Sequence, residues 1–447
     1  MNPRSQAYRR LVNPYQPMRV FSDDEVAAIH ASALSIIEHQ GMKVLSVAAR
    51  ERYRQGGARH DPATQTIRLD RGLVAECLAA APRQVTLYSS NPARDVPLSG
   101  RAVAFGPSSG APNVVDYERG RRAGTLADYE NAVRLCQAFD VIHLLGAFTE
   151  PQDVPAELRQ LKMMAAQLRL SDKIPHTFCR GKAQITDCFE LVRIANGLSE
   201  AEFRARPRTY TIINTNSPLV LDAPMADGIM DFAAAGQVQM ITPFTLAGAM
   251  APVTLAGALT LAHAETLCSL ALAQLVRPGA PVVYGSFTSN VDMKSGSPAF
   301  GTPEYVKAQF GAGQLARFVG LPWRSSNATA SNIPDAQGAY ESQMSLWGAL
   351  LGGSNFVLHA AGWIESGLSS SYEKFMLDIE QLQMLAEVLL PDMDPPYTPL
   401  LSGPGASAAW QRALDEFEAP ARDPSVLEAL EDYVQRRTAA GGSPPQT

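Results

Sequence analysis

From position 102 onward the chain repeats one pattern. A short run rich in β-branched and aromatic residues precedes a longer stretch in which apolar residues return at helical spacing. The runs predict strands at 102–106, 141–149, 174–180, 209–216, 239–246, 281–289, 322–329 and 355–363. The stretches predict helices at 126–139, 157–170, 185–196, 225–235, 254–276, 305–319, 336–351 and 373–390. Strictly alternating strands and helices predict an α/β fold with a parallel sheet, here a (β/α)8 TIM barrel. The alternative is an open, doubly wound sheet. It would carry a Gly-rich GxGxxG turn after its first strand. Phe105-Gly106-Pro107-Ser108-Ser109-Gly110 is a loose echo of that turn, and Pro107 sits where a backbone amide is needed.

The first hundred residues read differently. Ser22 with Glu25 forms a capping box before the apolar positions Val26, Ile29, Ala33, Ile36 and Ile37, and Gly41 stops the helix. A short strand around Ile67 and a second helix over 71–81 follow. We therefore expect a mixed helical extension over 1–100, a barrel over 101–391 and a C-terminal helical segment over 392–447. Helices are expected over 406–422 and 426–437, and the Gly/Ser/Pro tail 439–447 is expected to be disordered. The N-terminus has no apolar signal region. The uncharged stretch 244–262 contains Pro252 and runs into His263 and Glu265, which fits a buried helix better than a bilayer span. A cytoplasmic homo-oligomer without membrane contact is the expectation.

Composition narrows the function. Hydrophobic residues make up 46% and charged residues 18%, enough apolar material for a large core. The net charge of −6, with no basic run beyond Arg119, Arg121 and Arg122, argues against a nucleic-acid partner. Five dispersed cysteines with no CxxC pair argue against a disulfide framework and a zinc site.

In a barrel the working face lies at the C-terminal ends of the strands. That rule selects His176 and Phe178 on the third strand, Asn214 and Asn216 on the fourth, and Phe244 on the fifth. It adds Tyr284 and Phe287 on the sixth, Asn327 on the seventh, and His359, Trp363 and Glu365 on the eighth. His359 and His176 are the candidate catalytic residues, and the others are candidate substrate-binding residues. Carboxylates are scarce there (Glu150, Asp292, Glu365), so a glycosidase pair is poorly supplied. Lys173 and Lys294 are badly placed for a Schiff base, and there is no HExxH. What remains is aromatic and neutral polar. Such a pocket suits a cation, since each cation–π contact is worth about 0.5–2 kcal/mol. The competing reading is that these rings fill a barrel interior. His263, beside Glu265, reads as a helix-packing residue.

Several runs together resemble the trimethylamine methyltransferase family. They include Ala251-Pro252-Val253-Thr254-Leu255-Ala256-Gly257 with Ala264-Glu265, and Arg277-Pro278-Gly279-Ala280-Pro281. They also include Gly301-Thr302-Pro303-Glu304, Asp335-Ala336-Gln337 with Tyr340-Glu341, and His359-Ala360-Ala361-Gly362. Ala33-Leu34-Ser35-Ile36-Ile37-Glu38 with Gly41, and Asn91-Pro92, are similar too. The resemblance spans positions 20–390. It implies a barrel that passes a methyl group from a methylated amine to the Co(I) of a separate corrinoid protein. The founding trimethylamine enzymes carry pyrrolysine, whereas this chain has only standard residues. It therefore resembles the non-pyrrolysine branch, which demethylates quaternary amines such as glycine betaine in one-carbon and methanogenesis-related metabolism. No tightly bound cofactor is implied, because the corrinoid (cobalamin) comes on the partner. Asp140-Val141-Ile142-His143 with Gly146 is a near miss to the corrinoid signature DxHxxG, off by one and inside a predicted strand. A non-enzymatic quaternary-ammonium binder and an unrelated barrel enzyme are the alternatives.

Overall fold

The computed structural model describes residues 5–391, 397–401 and 405–446. At its centre is a seven-stranded sheet. Ala102–Phe105 (β1), Tyr210–Ile213 (β2), Val238–Ile241 (β3), Val282–Gly285 (β4), Trp323–Ser326 (β5) and Phe356–Leu358 (β6) lie in the spatial order β1-β6-β5-β4-β3-β2, with every adjacent pair parallel. Leu11–Val12 adds an antiparallel edge beside β1.

The predicted strands at 141–149 and 174–180 are reduced to isolated parallel bridges, Ala111 to Thr149, Leu144 to Ile174 and His176 to Tyr210. The Leu144 N–H donates to the Phe105 carbonyl (3.3 Å), and the Thr177 N–H donates to the Tyr210 carbonyl (3.0 Å). Two residues explain the broken ladder. Pro175 has no N–H to give. The His143 ring takes the Phe105 N–H at 3.0 Å, where a backbone carbonyl would otherwise accept.

Side chains alternate along the strands with period two, and the alternation separates two cores. One set, including Ala104, Tyr210, Val238, Met240, Val283 and Phe356, packs with Val85, Leu87, Val96 and Leu98 of the N-terminal segment. The other set, including Ile213, Ile241, Val282 and Tyr284, packs against the helix layer. Its main element is α2 (Leu255–Val276), buried on nearly every side, which accounts for a composition apolar enough for a bilayer. Val44, Tyr53 and Ile67 join the same cluster, so the N-terminal extension shares its core with α2.

The remaining helices used below are α1 (Asp23–Ser35), α3 (Pro303–Phe318), α4 (Ala336–Leu351), α5 (Tyr372–Leu389) and α6 (Pro424–Ala439). Helix α1 has the Ser22/Glu25 capping box read from the sequence. Thr254, Thr302, Asp335 and Ser371 cap α2 to α5, so each of these four loops ends in a side chain that accepts an orphan N–H.

The C-terminus departs from expectation. The first C-terminal helix is Gly405–Asp415, and α6 begins at the Asp423 cap. Residues 440–446 are anchored: the Ser443 N–H donates to the Glu157 carbonyl (2.9 Å) and the Gln446 N–H to the Arg180 carbonyl (2.8 Å). The Gln446 amide also donates to Asp227 at 2.7 Å. Position 447 and the Pro-containing stretch 392–396 lie outside the described residues.

Candidate functional site

Beyond the apolar floor, toward the C-terminal ends of the strands, the same inward face turns polar. On β5, Trp323 and Ser325 point to the helices; Ser325 takes a hydrogen bond from the Gln309 amide of α3 (3.0 Å). Period two therefore turns Arg324 and Ser326 inward. Arg324 is 1% exposed, and its Nε and Nη1 have no partner. Its guanidinium lies over the Phe287 ring, 5.8 Å from the centroid. Ser326 Oγ is also buried and unpartnered.

The candidate histidines sit in this region. His176 packs edge-on to Phe178 (4.7 Å between centroids) and against Tyr210 (4.9 Å), and neither ring nitrogen has a partner. Gln167 holds its backbone on both sides, accepting from the His176 N–H (2.8 Å) and donating to its carbonyl (3.0 Å). His359 follows β6 with φ of +58°, a left-handed conformation uncommon outside glycine. It packs 4.0 Å from Trp363 and 5.6 Å from Phe287, and its Nδ1 is unpartnered. Phe287 also stacks on Phe300 at 5.0 Å and touches Phe244 at 5.3 Å.

A buried ion pair holds the eighth strand end. Lys374 of α5 bonds Asp378, both side chains being almost wholly buried, and also donates to Ser342 (2.7 Å). The other Asp378 oxygen accepts the Gly362 N–H at 2.9 Å. Gly362 has φ of +94°, and a Cβ there would stand 2.5 Å from Phe148, so only glycine fits between His359 and Trp363.

The electrostatics are those of a site without acids. Burial pushes His176 down to about 3 and His359 well below the usual histidine range, with Arg324 and His176 adding to the effect on His359. Burial lowers Arg324 to about 10, still cationic at neutral pH. Burial raises Tyr210, Tyr284 and Tyr305, and raises Cys179 to about 12, so none is a ready proton donor.

Some selected residues lie elsewhere. Tyr284 points outward, its hydroxyl 2.9 Å from His263 Nδ1 on α2, and His263 Nε2 lies 2.9 Å from His30. The cause is strand parity: Val283 and Gly285 take the inward positions. Asn327 faces α4, donating to Ser342 and to the Ala360 carbonyl (3.3 Å each). Glu365 is engaged by Arg121 (3.0 Å) and Ser369 (2.6 Å), a clasp between loops. Asn214 and Asn216 are exposed at the end of β2, and Phe178 and Phe244 are half-buried at the mouth. Glu265 accepts from Thr215, from Ser217 (2.7 Å) and from the Leu219 N–H (2.8 Å), and so shapes that loop.

Sequence reasoning passed over Arg324. The signal was present: a lone arginine at an inward position of an otherwise buried strand. His143 is spoken for at both nitrogens, by the Phe105 N–H and the Tyr8 carbonyl (2.9 Å), so the DxHxxG near miss supplies no cobalt ligand. Among the described residues, no cluster of three His, Cys, Asp or Glu is placed to hold a metal.

The buried neutral histidines carry a prediction. His143, His176 and His263 are held at about 4, 3 and 3 in the folded chain, against about 6.5 when unfolded. Between these limits the unfolded chain binds the extra protons, so this contribution is complete above pH 6.5 and is lost as pH falls toward 3. Each histidine should cost about 1.4 kcal/mol per pH unit over that window. Urea unfolding at pH 7.5 and 5.5 should show stability falling by several kcal/mol; Asp231, raised by burial to about 6, takes up a proton in the fold over this range and offsets less than one histidine's share. Equal stability at both would mean that these rings are protonated in the fold.

A parallel α/β scaffold gathers aromatic, imidazole and guanidinium groups at its strand ends, with no ready proton donor among them. The chain belongs to the trimethylamine methyltransferase family, whose sequence profile matches residues 1–394. It is 33% identical over 466 residues to a glycine betaine methyltransferase of Desulfitobacterium hafniense strain Y51, covering 94% of this chain and 97% of the relative. It is 30% identical over 373 residues to trimethylamine methyltransferase MttB of Desulfitobacterium hafniense strain DSM 10664 / DCB-2, covering 83% and 74%. Among solved structures, the monomethylamine methyltransferase MtmB of Methanosarcina barkeri matches with a TM-score of 0.52 at 10% identity, covering 94% of this chain and 96% of that one. That likeness is one of fold.

Proposed function

We propose that this chain transfers one methyl group from a quaternary amine, glycine betaine or a related betaine, to the Co(I) of a separate corrinoid protein. The single observation that carries the reading is the coupling of an acid-free site to the match with a glycine betaine methyltransferase over nearly the full length of both chains. A quaternary nitrogen already bears its positive charge and leaves as a neutral tertiary amine. No proton has to be supplied, and none of the groups in the site is poised to supply one. The work left to the protein is to fix the substrate in line and exclude water. The rings of Trp363, Phe178 and Phe244 offer faces to the ammonium. We assign His359 and His176 to orienting the substrate through their unpartnered nitrogens.

We also infer that the single bridges at Leu144–Ile174 and His176–Tyr210 complete the parallel sheet as a closed eight-stranded barrel over about 101–391, with 1–100 and 392–447 as flanking segments. On that reading the corrinoid protein approaches the mouth at the strand C-termini. The loops there expose Val253, Met293, Ile333 and Leu368, an apolar rim fitted to a macromolecular partner.

The enzyme and a mere binder separate spectroscopically. Chain, Co(I) cobalamin and glycine betaine together should convert the Co(I) absorption to that of methyl-Co(III). The His359→Ala variant should lose at least about tenfold in kcat/KM, a loss of about 1.4 kcal/mol. Binding without conversion would leave a quaternary-ammonium receptor, and unchanged kinetics in His359→Ala would make His359 a core residue.

A further inference from the structure

We propose that Arg324 reads a carboxylate on the substrate, which makes the chain selective for zwitterionic betaines and against quaternary monocations such as choline. The inference deepens the quaternary-amine reading above and rests on it.

Arg324 is a buried guanidinium with no ion-pair partner among the described residues. Its Nε and Nη1 are unpartnered at 1% exposure. Its surroundings are the Phe287 face, Tyr210, Tyr305 and the neutral His359. Among the described residues, no carboxylate around the strand ends forms an ion pair with Arg324; Asp292, for one, accepts from Ser295 at 2.7 Å. Glu150 pairs with Arg180 (2.8 Å) and Glu365 with Arg121 (3.0 Å), while Asp378 pairs with Lys374. Glu341 accepts from the N–H groups of Ala330 (2.8 Å) and Ser331 (2.9 Å). Glu265 accepts from Ser217 and Leu219.

A buried, unpaired charge is strongly unfavourable unless something supplies its partner. The planar fork of a guanidinium matches a carboxylate with two parallel hydrogen bonds. Ser326 Oγ, on the same strand face, and His359 Nδ1 are further unpartnered polar atoms. An unpaired cation in the site also discriminates in the other direction. It repels a substrate whose only charge is its ammonium and attracts one whose carboxylate can meet the arginine while the ammonium faces the rings. Because Phe287 already faces Arg324, it serves as a support for the guanidinium, and the ammonium falls to Trp363, Phe178 and Phe244.

The test is binding, measured calorimetrically on the full chain without cobalamin, so that it does not depend on turnover. The probes are glycine betaine, its methyl ester and choline. All carry the same trimethylammonium group, but only the first carries a free carboxylate. Wild-type chain should bind glycine betaine at least about a hundredfold more tightly than the ester or choline. Arg324→Met should erase that preference, and Arg324→Lys, which keeps the charge but not the fork, should retain part of it. Equal wild-type affinity for betaine and ester would overturn the proposal even if the variants failed to fold. So would a folded Arg324→Met that keeps the preference. If no quaternary ammonium probe binds at all, the parent reading fails first. Choline bound as tightly as betaine leaves the parent reading standing and removes this one alone.

Discussion

Glycine betaine is expected to be demethylated at least about a hundredfold faster than trimethylamine by this chain, the size of an ordinary general-acid contribution. The expectation follows from the leaving group. A quaternary amine departs as a neutral tertiary amine. Trimethylamine must release dimethylamine, which departs neutral only if a proton arrives as the methyl leaves. The site has nothing to deliver it, because burial holds His176 down at about 3 and His359 lower than ordinary histidine, and raises Cys179 to about 12. Pre-protonated trimethylammonium fares no better, since it brings a bare cation toward buried Arg324. The measurement is Co(I) methylation with glycine betaine, other betaines and trimethylamine in parallel. Comparable rates for trimethylamine and the best quaternary amine would remove the acid-free mechanism.

Asp378→Ala should destabilise the chain by roughly 3–5 kcal/mol, the range for stranding one partner of a buried ion pair. Lys374 would be left with 1% of its side chain exposed and only Ser342 as a neutral partner. The Gly362 N–H would lose its acceptor between His359 and Trp363. Activity should fall alongside stability, because Gly362 sets the path that brings His359 to 4.0 Å from Trp363. Replacing both charges with apolar residues, as Lys374→Met with Asp378→Leu, should recover much of the stability, since no uncompensated charge remains. Without the Gly362 acceptor, that double variant should recover less of the activity. Chemical denaturation of the three proteins reads the first comparison and steady-state kinetics the second. A single variant within about 1 kcal/mol of wild type would mean that the site collapses or admits water.

The fold was legible wherever periodicity was strong. Helices expected at 157–170 and 336–351 form as Ala156–Leu170 and Ala336–Leu351, because their apolar stripes are long; Asp335 caps the second, while the first starts after Pro155 with no side-chain cap. Strands are harder, since a run of apolar and small residues does not reveal which hydrogen bonds it will make. The runs at 141–149 and 174–180 make bridges where ladders were expected, because Pro175 and the His143 ring interrupt the pairing. The candidate site was legible as a region but less so residue by residue. His176, Phe287, His359 and Trp363 lie on one side of the strand ends as the rule for barrels suggests. Tyr284 failed on parity: one step along β4 turns a side chain from the inward face to α2, and the sequence does not mark which residue starts inward. Arg324 was missed for the opposite reason. A charged residue reads as surface by default, and only the alternation of Trp323, Arg324, Ser325 and Ser326 exposes it as an inward-facing group.

The most direct measurement follows the methyl group itself. Glycine betaine labelled with carbon-13 in its N-methyl groups is incubated with this chain and a stoichiometric amount of Co(I) cobalamin or its corrinoid protein. One labelled methyl should appear on cobalt for each dimethylglycine formed, with neither product in the absence of the chain. Dimethylglycine appearing without methylated cobalt, or substrate bound and recovered intact while Co(I) persists, would contradict it.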